Sequence, residues 1–143
     1  MTSLDRIAYT ARASATGGRA GRARTDDGLL EVDLAPPTEM GGPGGATNPE
    51  QLFAAGYAAC FQGALGAVGR KRRIDTSGSL VTAEVSIGPV GEAFGLAVVL
   101  TVEIPGVDEA TCVELADAAH AVCPYSNATR GNIDVEVRAV ATA

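Results

Sequence analysis

The sequence predicts an α+β fold in the order βββ-α-ββ-α-β, on three observations. Strands with a period of two fall into two groups, a long uncharged stretch (residues 52–68) separates the groups, and a capped helical segment interrupts the second. A chain of 143 residues fits one domain, 1–143, able to bury roughly 70% of its unfolded surface without disulfide staples.

In the first group, residues 7–15 alternate apolar Ile7, Tyr9, Ala11 and Ala13 with polar Thr10, Arg12 and Ser14, which predicts a strand with one buried face. Gly17-Gly18 turns the chain into a weaker strand over 19–25. Asp26-Asp27-Gly28 turns it again into a strand over 29–34. The expected arrangement is an N-terminal antiparallel meander. Residues 35–47 are punctuated by Pro and Gly and are expected to be loop.

Asn48-Pro49-Glu50-Gln51 opens the central helix. Asn48 suits the cap, Pro49 the first turn, where its missing N–H costs nothing, and Gln51 completes a capping-box spacing. The uncharged stretch that follows is apolar around the whole helix and shorter than a membrane span. It calls for cover on every side, and a second subunit is the expected source of what one sheet cannot provide. Arg70-Lys71-Arg72-Arg73 closes the helix, where cations suit the dipole.

The second group has strands over 80–87 and 96–104 joined across Gly88-Pro89-Val90-Gly91. A helix then runs from its cap Asp108 to Cys123, ended by Pro124, and a last strand over 133–139 completes a second antiparallel sheet.

A formal net charge of -6 and a pI near 4.7 argue against nucleic acid or an anionic membrane as partner. The N-terminal residues lack the apolar core of a signal peptide, so a cytoplasmic location is expected. Three cysteines in such a compartment are reactive, metal-binding or simply buried. Cys60, in the most apolar segment, reads as readily as a small buried hydrophobe as a reactive thiol. Cys123, at a helix end beside Pro124, has room to move. Cys112 lies eleven residues before Cys123, roughly 16 Å away along an ideal helix, too far for a disulfide, and reads as core. His120 and Cys123 share a helix face, but with one histidine and no Cys-x-x-Cys pair no metal or other cofactor is expected. Arg19, set among glycines, is the candidate cation to favour a thiolate, with Glu50 as its candidate carboxylate. Both read equally as an exposed turn residue and a first-turn charge.

Four segments together carry a resemblance: GGRAG (17–21), DDG (26–28), GGPGGATNPEQLFAAGYAACF (41–61) and VCPYSNATRGNIDV (122–135). They resemble the organic hydroperoxide resistance (Ohr) branch of the OsmC/Ohr superfamily from end to end, with Ala46 and Thr25 standing where the family pattern has Gly and Ser. The resemblance implies an OsmC/Ohr-like intertwined homodimer that reduces organic hydroperoxides. It makes Cys60 the attacking thiol, Cys123 its disulfide partner, and Arg19 with Glu50 the polar network that activates Cys60. It also implies a dithiol reductant, expected to be a lipoyl-bearing protein. Phe53 and Phe61 are candidates for an apolar wall that binds the alkyl group. A thiol redox sensor and a non-catalytic ligand-binding dimer are the alternatives. On a straight helix Glu50 and Cys60 lie roughly 15 Å and about 80° apart. Either a break near Gly56 folds the helix back, or the site is completed across a dimer interface.

Overall fold

In the computed structural model, which describes residues 2–143, the two groups of strands become two separate three-stranded sheets, accompanied by three α-helices. The chain divides into two compact units, one ending at Pro49 and one spanning Glu50–Ala143.

The N-terminal unit is the expected antiparallel meander, with β1 (Ala13–Thr16), β2 (Arg22–Thr25) and β3 (Glu31–Asp33) in that order. Asp27 organises the β2–β3 turn by accepting from the Thr25 hydroxyl at 2.7 Å and the Leu29 N–H at 3.0 Å. Arg22 reaches Glu31 and Asp33 on β3, at 2.7 and 2.9 Å. The strand expected over 7–15 begins only at Ala13, leaving Ile7 and Tyr9 74% and 81% exposed. The regular pairing ends where Ala13 meets Thr25, because β2 gives way there to the Asp26-Asp27-Gly28 turn; past it the Arg12 carbonyl still accepts from the Asp26 N–H at 3.1 Å, and the Arg12 guanidinium pairs with the Asp26 carboxylate at 3.5 Å.

The C-terminal unit is built on α1 (Pro49–Arg72) and a sheet of β4 (Leu80–Val90), β5 (Ala93–Pro105) and β6 (Val135–Thr142). Helix α1 is continuous, so there is no break at Gly56. Its last turn ends with Ile74 N–H donating to the Gly69 carbonyl and Arg73 N–H to that of Arg70, with Arg73 in the left-handed region at φ 58°. Central strand β5 buries Val98, Leu100, Val102 and Ile104, every second residue, in one face. Against that core pack Tyr57, Phe61 and Leu65 of α1 and Cys112, Leu115, Ala116 and Ala119 of α2 (Glu109–Val122). Each large side chain buried this way contributes about 1.5–3 kcal/mol. Among the described residues α1 alone is long and apolar enough to cross a membrane by length and composition.

Three expectations are corrected here. The β4–β5 turn is Gly91-Glu92, not residues 88–91; Pro89 stays in the strand opposite Phe94 because β4 is an edge strand. Gly91 supplies the positive φ, 58°, that so short a turn requires. Strand β6 runs parallel to β5, so the sheet is mixed, because α2 and the short α3 (Pro124–Thr129) carry the chain back to the starting end before β6 begins. Helix α3 itself fills part of the segment between the predicted helix end at Cys123 and the strand predicted from residue 133, where the sequence predicts no element, with Pro124 at its first turn.

Candidate functional site

The two thiols are brought together by the junction of α2 and α3. Asp108 caps α2, accepting from the Thr111 N–H at 2.7 Å, and Cys123 ends that helix and begins the next. Its φ and ψ of −63° and 125° are the extended geometry that a following proline favours. Cys123 is fully buried, and its Sγ lies 3.7 Å from that of half-buried Cys60 on α1. That separation joins positions 63 residues apart in the chain and leaves both thiols free. Burial pushes the Cys60 thiol up, a hydrogen bond from the Tyr125 backbone N–H pulls it back, and neighbouring Cys123 pushes it up again. Cys112 is enclosed in the core, its Sγ 3.7 Å from the Val102 carbonyl, and burial raises its thiol too.

Beside the thiols lies a cluster of rings. Phe53, Tyr57 and Tyr125 meet with centroids 5.6 to 6.1 Å apart. Gly56 permits this: a Cβ there would stand 2.9 Å from the Tyr125 hydroxyl. Phe53 is half-buried and Tyr125 39% exposed. Phe61, expected as part of the wall, is fully buried with its ring 6.4 Å from that of His120, so it has no surface to offer a ligand in this chain. It is core because its position on α1 falls in the buried stripe Tyr57, Phe61, Leu65 and Gly69.

Residues 42–138 match the family of OsmC-like proteins. The chain belongs to the OsmC-like family. It is 53% identical over 137 residues to an organic hydroperoxide resistance protein of Xanthomonas axonopodis pv. citri, covering 94% of this chain and 96% of that one. Among solved structures it is similar to an organic hydroperoxide resistance protein from Legionella pneumophila. That likeness has a TM-score of 0.90 and 48% identity, covering 96% of this chain and 100% of the other. The organic hydroperoxide resistance protein OhrB of Bacillus subtilis is similar at TM-score 0.85 and 42% identity, over 95% and 100%.

In this OsmC-like chain Arg19 lies in an exposed 3-10 turn, Gly18–Ala20, of the N-terminal unit. Glu50 is half-buried in the first turn of α1. Along an unbroken helix it stays roughly 15 Å from Cys60, so α1 does not bring the two together. Sequence reasoning missed a chain of polar groups at the same junction. The Tyr57 hydroxyl lies 2.9 Å from that of Ser126 and 3.1 Å from that of Thr129, and His120 Nδ1 lies 2.8 Å from the Ser126 hydroxyl. Arg130 donates to the His120 carbonyl at 2.6 Å and to Asn127 at 2.7 Å. Burial, and then the Arg130 guanidinium, hold His120 below its ordinary value. The available signal was spacing: Tyr57 precedes Cys60 by three residues, and Ser126 follows Cys123 by three.

Proposed function

We propose that this OsmC-like chain is a thiol-dependent peroxidase that reduces organic hydroperoxides to alcohols. The single observation that carries the reading is the pair of free thiols 3.7 Å apart, one half-exposed beside an aromatic cluster and one buried at a helix junction. Similarity to proteins named for organic hydroperoxide resistance supports the substrate class.

The Cys60 thiolate attacks the terminal peroxide oxygen, the O–O bond breaks, and the alkoxide takes a proton to leave as alcohol. Cys60 is left as a sulfenic acid. Cys123 condenses with it to a disulfide, releasing water, and an external dithiol then reduces the disulfide in two exchanges. A dihydrolipoyl group on a partner protein suits this last role. Phe53 and Tyr125 supply apolar surface for the alkyl group, a preference that hydrogen peroxide cannot exploit.

Burial and neighbouring Cys123 raise the Cys60 thiol, so attack at neutral pH requires a counter-charge. Arg19, oriented by Glu50, fills that role in an assembled homodimer. Two observations support the dimer: the continuity of α1, and the uncharged face it exposes through Ala55, Ala59, Gly63 and Ala67. A cytoplasmic, single-domain protein fits the same reading.

The test is peroxide consumption with dihydrolipoamide and with thioredoxin side by side, in the native chain and in Cys60→Ser and Cys112→Ser. Turnover is expected with dihydrolipoamide, lost in Cys60→Ser and retained in Cys112→Ser. Normal turnover by Cys60→Ser would refute the assignment.

A further inference from the structure

The polar chain beside the thiols has a direction. Thr129 is in helix α3, and its hydroxyl donates to the Ser126 carbonyl at 3.2 Å, one turn back. A hydroxyl carries one proton, so Thr129 must accept from the Tyr57 hydroxyl. Tyr57 in turn must accept from the Ser126 hydroxyl, which leaves Ser126 to accept from His120 Nδ1–H. All four side chains are then satisfied in one sense only, with His120 protonated at Nδ1 and bare at Nε2. Ser126 and Tyr57 have no exposed surface and Thr129 is 6% exposed, so water does not compete for these bonds.

The chain also has a place. It ties α3 to α1 through Tyr57 and to α2 through His120, the two helices whose ends and faces carry the thiols. Tyr57 and Cys60 stand one turn apart on α1, and Cys123 and Ser126 are separated by the same three residues. The Tyr57–Ser126 contact is thus a second rung beside the Cys60–Cys123 contact. The sulfur atoms, 3.7 Å apart, must close to about 2.05 Å for a disulfide. Cys60 belongs to a continuous helix, so Cys123 at its junction is the side that adjusts.

We propose that Tyr57, Ser126, Thr129 and His120 form a positioning device that holds Cys123 in register with Cys60 and sets the rate at which the Cys60 sulfenic acid closes to the disulfide. This inference rests on the peroxidase reading above. In the step concerned, the S–O bond of the sulfenic acid breaks and the S–S bond forms. The Cys123 proton leaves with the hydroxyl as water, and the oxidising equivalents are those the peroxide has already delivered to Cys60.

The experiment follows one equivalent of cumene hydroperoxide in the full chain, with quenching by a sulfenic-acid-trapping dione and mass spectrometry at increasing times. In Tyr57→Phe and Thr129→Val the trapped Cys60 sulfenic acid is expected to persist about tenfold longer than in the native chain, the effect of one buried hydrogen bond. Thr129→Ser, which keeps the hydroxyl, should restore native closure. A tenfold loss of effective thiol concentration also makes the dithiol–disulfide potential about 30 mV more oxidising. Since the chain has one histidine, nitrogen-15 labelling reports His120 alone, and its native signals should be those of protonated Nδ1 and bare Nε2. Closure at the native rate in folded Tyr57→Phe and Thr129→Val overturns the positioning role, and so does a native His120 protonated at Nε2. A native chain that forms no sulfenic acid overturns the peroxidase reading, and this inference with it.

Discussion

Gly56→Ala separates stability from activity. The added Cβ would stand 2.9 Å from the Tyr125 hydroxyl and 3.2 Å from its Cε2, inside the normal contact range. Two effects oppose each other. Replacing a glycine within α1 by alanine favours the helix by about 0.8–1 kcal/mol, whereas overpacking in a rigid core costs typically about 1–3 kcal/mol. The neighbour here is the far end of a side chain 39% exposed, so Tyr125 can swing outward at little cost. The helix effect should therefore win or balance, leaving unfolding free energy within about 1 kcal/mol of native in urea melts. Activity should not be spared, because displacing Tyr125 opens the ring cluster over Phe53 and Tyr57. We expect kcat/KM for an aromatic hydroperoxide to fall about tenfold, the worth of about 1.4 kcal/mol of lost apolar contact, with a smaller loss for hydrogen peroxide. A stability loss beyond about 2 kcal/mol would mean that Tyr125 cannot move. Equal losses on the two peroxides would refute its place in an alkyl-binding wall.

Arg19→Ala and Glu50→Ala should each shift the alkylation profile of Cys60 to higher pH, since burial and neighbouring Cys123, which both raise that thiol, then act without an opposing cation; an unchanged profile in folded Arg19→Ala would remove the electrostatic argument. Arg73→Gly should stabilise the protein by about 1 kcal/mol in urea melts, because it relieves a side chain at φ 58°; a loss of stability would contradict strain at that C-cap. His120 is held below its ordinary value, so as pH falls the unfolded chain takes up this proton first. The stability it contributes is complete above about pH 6.5 and is lost as pH drops through its depressed folded value. His120→Asn, which retains an N–H donor toward Ser126, should flatten that slope in melts from about pH 7 down to about pH 5. A native chain with no such slope would contradict the burial of a neutral imidazole.

Local signals in the sequence were reliable where physics is local. Asp108 caps α2 as its position predicts, Pro124 separates two helices, and the Asp26-Asp27-Gly28 turn folds the first meander. Direction and extent are set by neighbours instead. A period of two marks β6 as a strand but not which way it runs, and the alternation over 7–15 becomes a ladder only where β2 faces it. The thiol pair was legible through resemblance, and the distance of 3.7 Å brings the same two residues together. Of the Tyr57–Ser126–Thr129–His120 chain only the three-residue spacing of Tyr57 and Ser126 from the two cysteines was on view, because hydroxyl contacts across 69 and 72 residues leave no periodic trace.

The most direct test of the account is mass spectrometry of the native protein after one equivalent of an alkyl hydroperoxide, with peptide mapping of all three cysteines. The account predicts loss of two hydrogens in a single peptide pair linking Cys60 to Cys123, with Cys112 reduced, and in Cys123→Ser a stalled oxidised Cys60 after about one peroxide per subunit. Three thiols still reduced after exposure, or a disulfide that includes Cys112, would contradict it.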